Sequence, residues 1–251
     1  MDRVRSIAVT GKGGTGKTVL ATLLIRLLAE RFPGRVLAID ADSAMSLPYT
    51  LGLELKGTVS EVRKNIIGSR EAKEKLNDGP TKSVMRGILT SGGGFDLLVM
   101  GRPEEPGCFC AVNELLRYGI DTLITDYEAV VIDGEAGPEQ LNRRVLKSID
   151  VLLVAADMSA RSLETAAGII RVANSYEDGL RVGRAGLILN RVRGDRPAEE
   201  VLRRIGLEIF GTLPEDDLLN EYDREGRSLL ELPLDSPCPL AAREILDRIY
   251  E

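Results

Sequence analysis

The chain has 251 residues, 43% of them hydrophobic and 29% charged, with a formal net charge of −6; it is long enough for one α/β domain with a large core, and residues 1–251 are expected to form a single domain. An acidic chain has no general attraction to a phosphate backbone, so nucleic acid is not expected as a partner, and the complete lack of histidine excludes Ser-His and Cys-His catalysis and every His-containing metal site. Three cysteines are no disulfide framework at this length and fit a reduced, cytoplasmic compartment.

Short runs rich in Val, Ile and Leu alternate along the chain with stretches of helical periodicity. Val4–Thr10 is the first expected strand; a Gly-rich loop follows it and leads into a helix over Gly16–Glu30. The most apolar stretch, Val19 to Ala29, lies in that helix, is interrupted by Arg26 and is too short to span a bilayer, so no membrane association is expected. Arg35–Asp40 is the second strand. Residues 55–94 carry mixed charge, then Asp78-Gly79-Pro80 and Gly92-Gly93-Gly94, and are expected to form a mobile, mostly helical excursion. Beyond them come strand Phe95–Gly101, helix Asn113–Thr122, strand Ala129–Asp133, helix Glu139–Lys147, strand Val151–Ala156, helix Leu163–Asn174, strand Ala185–Asn190, helix Ala198–Ile205, strand Glu208–Leu213 and a closing helix Ala241–Tyr250. Near-continuous apolar strands with helices between them predict an α/β fold: a mostly parallel sheet of about seven strands with helices on both faces.

Gly11-Lys12-Gly13-Gly14-Thr15-Gly16-Lys17-Thr18 fits the phosphate-loop template G-x-x-x-x-G-K-[ST] at every fixed position, between a predicted strand and a predicted helix. The glycines let backbone N–H groups turn toward phosphate oxygens, and the helix that follows adds its positive end. Lys17 is expected to reach the terminal phosphates and Thr18 to offer its hydroxyl to Mg²⁺. Lys12 is a second cation that the loop does not need. It is either a solvated lysine or a charge delivered across a dimer interface onto the neighbour's triphosphate.

The run G-K-G-G-T-G-K-T resembles the deviant Walker A motif of the family containing the MinD and ParA ATPases, the nitrogenase iron protein and the CooC-type nickel accessory ATPases. That resemblance implies an ATPase converting ATP to ADP, active as a homodimer in which Lys12 works in trans. Asp40-Ala41-Asp42 looks like the family's first switch, which implies that Asp42 positions the attacking water and Asp40 lies near the outer shell of the metal. The family often has proline after the second of these aspartates; this chain has Ser43. Val130-Val131-Ile132-Asp133 resembles a Walker B strand, so Asp133 is expected to hold Mg²⁺ through water, and Gly134-Glu135-Ala136-Gly137 resembles the second switch, with Gly137 near the γ-phosphate. Leu189-Asn190-Arg191 resembles the adenine-reading segment, since an amide carries both donor and acceptor. Gly211 to Asp216, with Pro214 in it, resembles the loop that packs on the base.

Cys108-Phe109-Cys110 lies after the strand Phe95–Gly101 and just before a predicted helix. If that strand runs parallel to the first, the pair falls on the phosphate-loop side of the sheet. Positions i and i+2 of an extended segment point the same way, and a helix N-terminus favours thiolate over thiol. The pair is either two small hydrophobes at a helix start or two soft ligands, half of a tetrahedral site that a two-fold dimer would complete. The stretch G-R-P-E-E-P-G-C-F-C-A-V-N-E-L-L-R looks like the Cys-x-Cys segment of CooC-type ATPases. It implies Ni²⁺ or Zn²⁺ bound by Cys108 and Cys110, and a nickel enzyme, carbon monoxide dehydrogenase or acetyl-CoA synthase, as recipient. Two alternatives from the same family are a MinD- or ParA-type spatial-positioning ATPase and an iron–sulfur electron carrier like the nitrogenase iron protein. The first calls for a basic amphipathic tail or a basic surface, whereas the tail from Leu240 to Glu251 has balanced charge; the second calls for widely separated cysteines. Cys238 matches none of these patterns.

Overall fold

A computed structural model of the chain describes residues 4–68, 81–102, 110–135, 148–175, 181–194 and 208–251. Among these, the elements run β1 (Ser6–Gly11), α1 (Lys17–Arg31), β2 (Val36–Asp40), α2 (Leu47–Leu51), α3 (Val59–Gly68), α4 (Thr81–Gly87), β3 (Thr90–Ser91), β4 (Phe95–Val99), α5 (Cys110–Ile124), β5 (Ala129–Asp133), β6 (Ser148–Ala156), α6 (Ala160–Ser175), β7 (Arg181–Val192), β8 (Ile209–Pro214), α7 (Asp217–Glu225), a 3₁₀ turn (Leu229–Glu231) and α8 (Pro237–Tyr250). The predicted helices Glu139–Lys147 and Ala198–Ile205 lie outside the described residues.

The strands form an eight-stranded sheet in the order β3-β4-β2-β5-β1-β6-β7-β8. All neighbours are parallel except β3 and β4. The strand beyond the expected seven is β3, two residues long, joined to β4 by the Gly92-Gly93-Gly94 turn. The excursion over 55–94 is therefore not helical to its end. Among its described residues Val59, Ile66 and Met85 are buried in the core, and residues 69–80 lie outside the described residues.

Strand alternation divides the core in two. Ile7 and Val9 of β1, Val36 and Ala38 of β2, and Ala129 and Val131 of β5 face a cluster with α1, α2, α7 and α8. Ala8, Leu37, Ile39, Val130 and Ile132 face the opposite cluster, with α3, α4, α5 and α6. Both faces are covered, which is why these strands are apolar without alternation. Helix α1 is enclosed by the sheet, α2, the 3₁₀ turn and α8, with Leu20, Leu24, Ile25 and Leu28 inaccessible. Each such side chain contributes roughly 1.5–3 kcal/mol of burial, so the helix that ends the phosphate loop is firmly seated.

Two further elements differ from expectation. Gly211–Pro214, expected in a loop, belong to β8, and helix α7 follows after Glu215 and Asp216, with the Asp216 carboxylate accepting from the N–H groups of Leu218 and Leu219 and Gly226 at its C-terminal end. Helix α8 begins four residues before the predicted Ala241, because Pro237 and Pro239 fit a first helical turn. Its buried face contains Ala242, Ile245, Leu246 and Ile249. No helix among the described residues is long and apolar enough to cross a membrane.

Candidate functional site: the nucleotide edge of the sheet

The C-terminal ends of β1, β2, β5, β6, β7 and β8 lie along one edge of the sheet. In open α/β sheets this edge, at the point where the strand order reverses, takes the ligand. Here the reversal is at β1, flanked by β5 and β6. Gly11 ends β1 at φ 144°, and a Cβ there would run into the Ala155 carbonyl of β6. The loop then turns on itself, with Thr15 Oγ1 donating to the Lys12 carbonyl at 2.7 Å. Gly13 and Gly14 stand exposed at its crest, and Lys17 is buried at the start of α1.

Gly16 precedes α1 at φ 82°. The Asn190 amide packs directly over it, where a Cβ would fall. Asn190 Nδ2 donates to the Thr15 carbonyl at 2.8 Å, and its Oδ1 accepts from the Arg191 N–H at 2.8 Å. The residue expected to read adenine thus braces the phosphate loop, with one further amide hydrogen to offer. Arg191 takes a left-handed φ of 56°. Pro214, ending β8, is in register with Val192 two residues beyond Asn190, so Asn190, Arg191 and Pro214 come together. Gly16→Ala is expected to lower stability by about 1–2 kcal/mol for the backbone alone and to weaken ATP binding further by displacing Asn190; thermal unfolding with and without nucleotide checks both.

Asp40 and Asp133 are partners in the register of β2 and β5, both inaccessible to solvent. Asp40 accepts from the Asp42 N–H through Oδ1 and the Leu47 N–H through Oδ2, each at 3.0 Å. It thereby anchors both ends of the first switch. Burial pushes its pKa up to about 7, with the Asp133 charge adding and the two N–H groups opposing. Burial also raises Asp133, to about 6, against the pull of the Thr18 hydroxyl and the Lys17 ammonium. Neither Asp133 oxygen has a hydrogen-bond partner of good geometry among the described residues. Two orphaned buried carboxylate oxygens near a threonine hydroxyl suit a hard divalent cation, so Thr18 and Asp133 fit Mg²⁺ carried in with a nucleotide.

In the first switch, Asp42 is half-buried; its Oδ1 accepts from the Ala44 N–H at 2.9 Å and its carbonyl from the Met45 N–H at 3.0 Å. Met45 adopts a strained left-handed φ of 51°. Asp157, at the end of β6, is held below the usual carboxylate range chiefly by the Ser159 hydroxyl, with the Lys12 ammonium also contributing. The Lys12 ammonium therefore stands within electrostatic reach of a carboxylate of its own chain.

Gly137 and Cys108 lie outside the described residues, and Cys110 is the first residue of α5. Strand β4 is parallel to β2, with Val99 beside Asp40, so the chain leaves β4 at the nucleotide edge as expected. Among the described residues no three His, Cys, Asp or Glu are grouped to hold a metal. Cys238 is a buried structural thiol. Burial and then Asp216 push its pKa up to about 12, and its Sγ donates to the Pro214 carbonyl at 3.3 Å. The sequence reading missed three residues at this edge: Asp157, Glu135 and Arg102. Glu135 was within the quoted second switch, but nothing in its spacing marked a role.

Residues 6–229 match the CobQ/CobB/MinD/ParA nucleotide binding domain. The chain belongs to this family. It binds ATP and is an ATPase. Among the family's members it is 40% identical to an uncharacterized ATP-binding protein of Methanocaldococcus jannaschii, over 97% of each chain. It is 29% identical to the carbon monoxide dehydrogenase accessory protein CooC of Rhodospirillum rubrum, over 90% of this chain and 89% of that one. Its fold matches the ParA family ATPase from Chlorobium tepidum TLS with a TM-score of 0.72 at 20% identity, covering 99% and 98% of the two chains.

Proposed function

We propose that this ATPase works as a cytoplasmic homodimer serving as a metallochaperone, assisting nickel insertion into carbon monoxide dehydrogenase or acetyl-CoA synthase. The observation that carries this reading is the Cys108-Phe109-Cys110 pair, in a segment that resembles that of CooC-type ATPases and in a chain related to the R. rubrum CooC protein along nine-tenths of its length.

In this reading the phosphate loop and Lys17 hold the triphosphate, and Thr18 and Asp133 hold Mg²⁺, which neutralises phosphate charge. Gly137 approaches the γ-phosphate, and Asn190, Arg191 and Pro214 hold the base. Asp42 orients the attacking water, and Lys12 reaches the partner's nucleotide. ATP closes the dimer, which brings two Cys108/Cys110 pairs around one Ni²⁺ or Zn²⁺; hydrolysis to ADP reopens it.

The thiolate site and the phosphate loop are separate in sequence, so the two activities should separate in variants. Cys108→Ser/Cys110→Ser is expected to lose Ni²⁺ and Zn²⁺ binding in equilibrium dialysis while ATP affinity stays within about twofold of wild type, since thiolates supply the metal affinity. Wild-type binding should weaken as pH falls, because each thiol must lose its proton to coordinate. Metal binding unchanged in the double variant would leave a dimerising ATPase with a different cargo.

A further inference from the structure

The loop that carries Asp42 is gripped from outside itself at two successive peptide groups. The Ser43 N–H donates to Glu135 Oε1 at 3.0 Å. The Ser43 carbonyl accepts from Arg102 Nε, also at 3.0 Å. Both partners are side chains that carry charge at neutral pH, so these are hydrogen bonds of the stronger kind. Each comes from a different strand end: Glu135 two residues past β5, Arg102 three residues past β4. Glu135 is itself tied back to β1, because its carbonyl accepts from Thr10 Oγ1 at 2.5 Å. The grip on the N–H depends on the residue at 43. Ser43 supplies the N–H that Glu135 holds, which a proline at that position would lack.

Between these two clamps and Asp40 the first switch has little freedom. Asp42 donates its N–H to Asp40 and accepts from Ala44 and Met45, and the turn ends in the strained Met45. A turn held against strain moves when a clamp is removed, and Asp42 is the residue next to the clamped N–H.

We propose that Glu135 and Arg102 are positioning residues for ATP hydrolysis, acting through the two peptide groups of Ser43 to orient the Asp42 carboxylate. This rests on the reading of Asp42 as the group that orients the attacking water. Neither residue belongs to the phosphate loop, so ATP affinity is not their task.

The test is steady-state ATP hydrolysis by Glu135→Ala, Glu135→Gln and Arg102→Ala, each made in the wild type and in Asp42→Asn. In the wild-type background Glu135→Ala and Arg102→Ala are each expected to lower kcat roughly tenfold, the effect of one lost charge-assisted hydrogen bond, with KM within about twofold. Glu135→Gln keeps an acceptor oxygen for Ser43 and should recover most of the loss. In Asp42→Asn the same changes should have no further effect, because residues acting through one group are not additive. Arg102 is exposed, so its variant tests the idea even if Glu135→Ala folds poorly. Wild-type kcat in Glu135→Ala and Arg102→Ala, beside a slow Asp42→Asn, overturns the positioning role alone. Equal losses in both backgrounds also overturn it, since they mean a general structural effect. Wild-type hydrolysis by Asp42→Asn removes the underlying reading, and the positioning role with it.

Discussion

Asp42→Asn is expected to slow ATP hydrolysis by roughly 10²–10³-fold, the usual contribution of a positioned carboxylate, with ATP affinity unchanged or slightly tighter. The substitution keeps an oxygen that can accept from the Ala44 N–H, as Asp42 Oδ1 does, so the turn is preserved. What it removes is negative charge at the nucleotide edge. The phosphate loop, Lys17 and Thr18 stand on β1 and α1, and α1 is anchored by the core, so binding does not depend on that charge. With hydrolysis blocked, the ATP-bound dimer should live longer. Equilibrium ATP binding, single-turnover hydrolysis and the rate of dimer dissociation together check the prediction. Wild-type turnover would take Asp42 out of the mechanism.

Lys12→Ala is expected to cost still more, on the order of 10³-fold in hydrolysis, as for a charge supplied in trans to a transferring phosphoryl group. The loop should survive the change, since Lys12 contributes its carbonyl to the Thr15 hydrogen bond and alanine retains that carbonyl. Within one chain the ammonium lies near Asp157, so a solvated or intrachain role is the competing explanation. Mixing decides between them. In a dimer of one Lys12→Ala and one Asp42→Asn chain, the site holding the intact Asp42 receives its lysine from the other chain. An equal mixture should recover roughly a quarter of wild-type activity, because half of the dimers are mixed and each has one complete site. No recovery, in a mixture shown to form mixed dimers, would place Lys12 in cis.

Much of the sheet was legible because it is parallel and covered on both faces: such strands are short apolar runs, and Ala129–Asp133 has the predicted bounds. Strand β7 was predicted too short because its first residues include the exposed Arg181 and Arg184, which no apolar run announces. Strand β3 owes its existence to pairing with β4, and two residues carry no period. Helix α7 did have signals, Asp216 before it and Gly226 after it, but their place beside a presumed base loop hid them. At the site, the motif located Gly11 to Thr18, and residue matching located Asp40 and Asp133. What no spacing could show is which groups a side chain meets across the fold. Asn190 is bonded to Thr15, 175 positions away. Glu135 meets Ser43 across 92 positions, and Arg102 meets it across 59. These are tertiary contacts between strand ends, and they depend on sheet order, not on local sequence.

In the proposed function two chains share one thiolate-bound metal under the control of ATP. Equilibrium dialysis of Ni²⁺ and of Zn²⁺, with light scattering on the same samples, tests it with and without nucleotide. The expected result is one metal for every two chains, found in the dimer. Metal and dimerisation should each strengthen the other, because linkage is reciprocal, and the two metals should compete for the site, since thiolates discriminate weakly between them. One metal for each chain, bound equally well by monomers, would contradict the shared site.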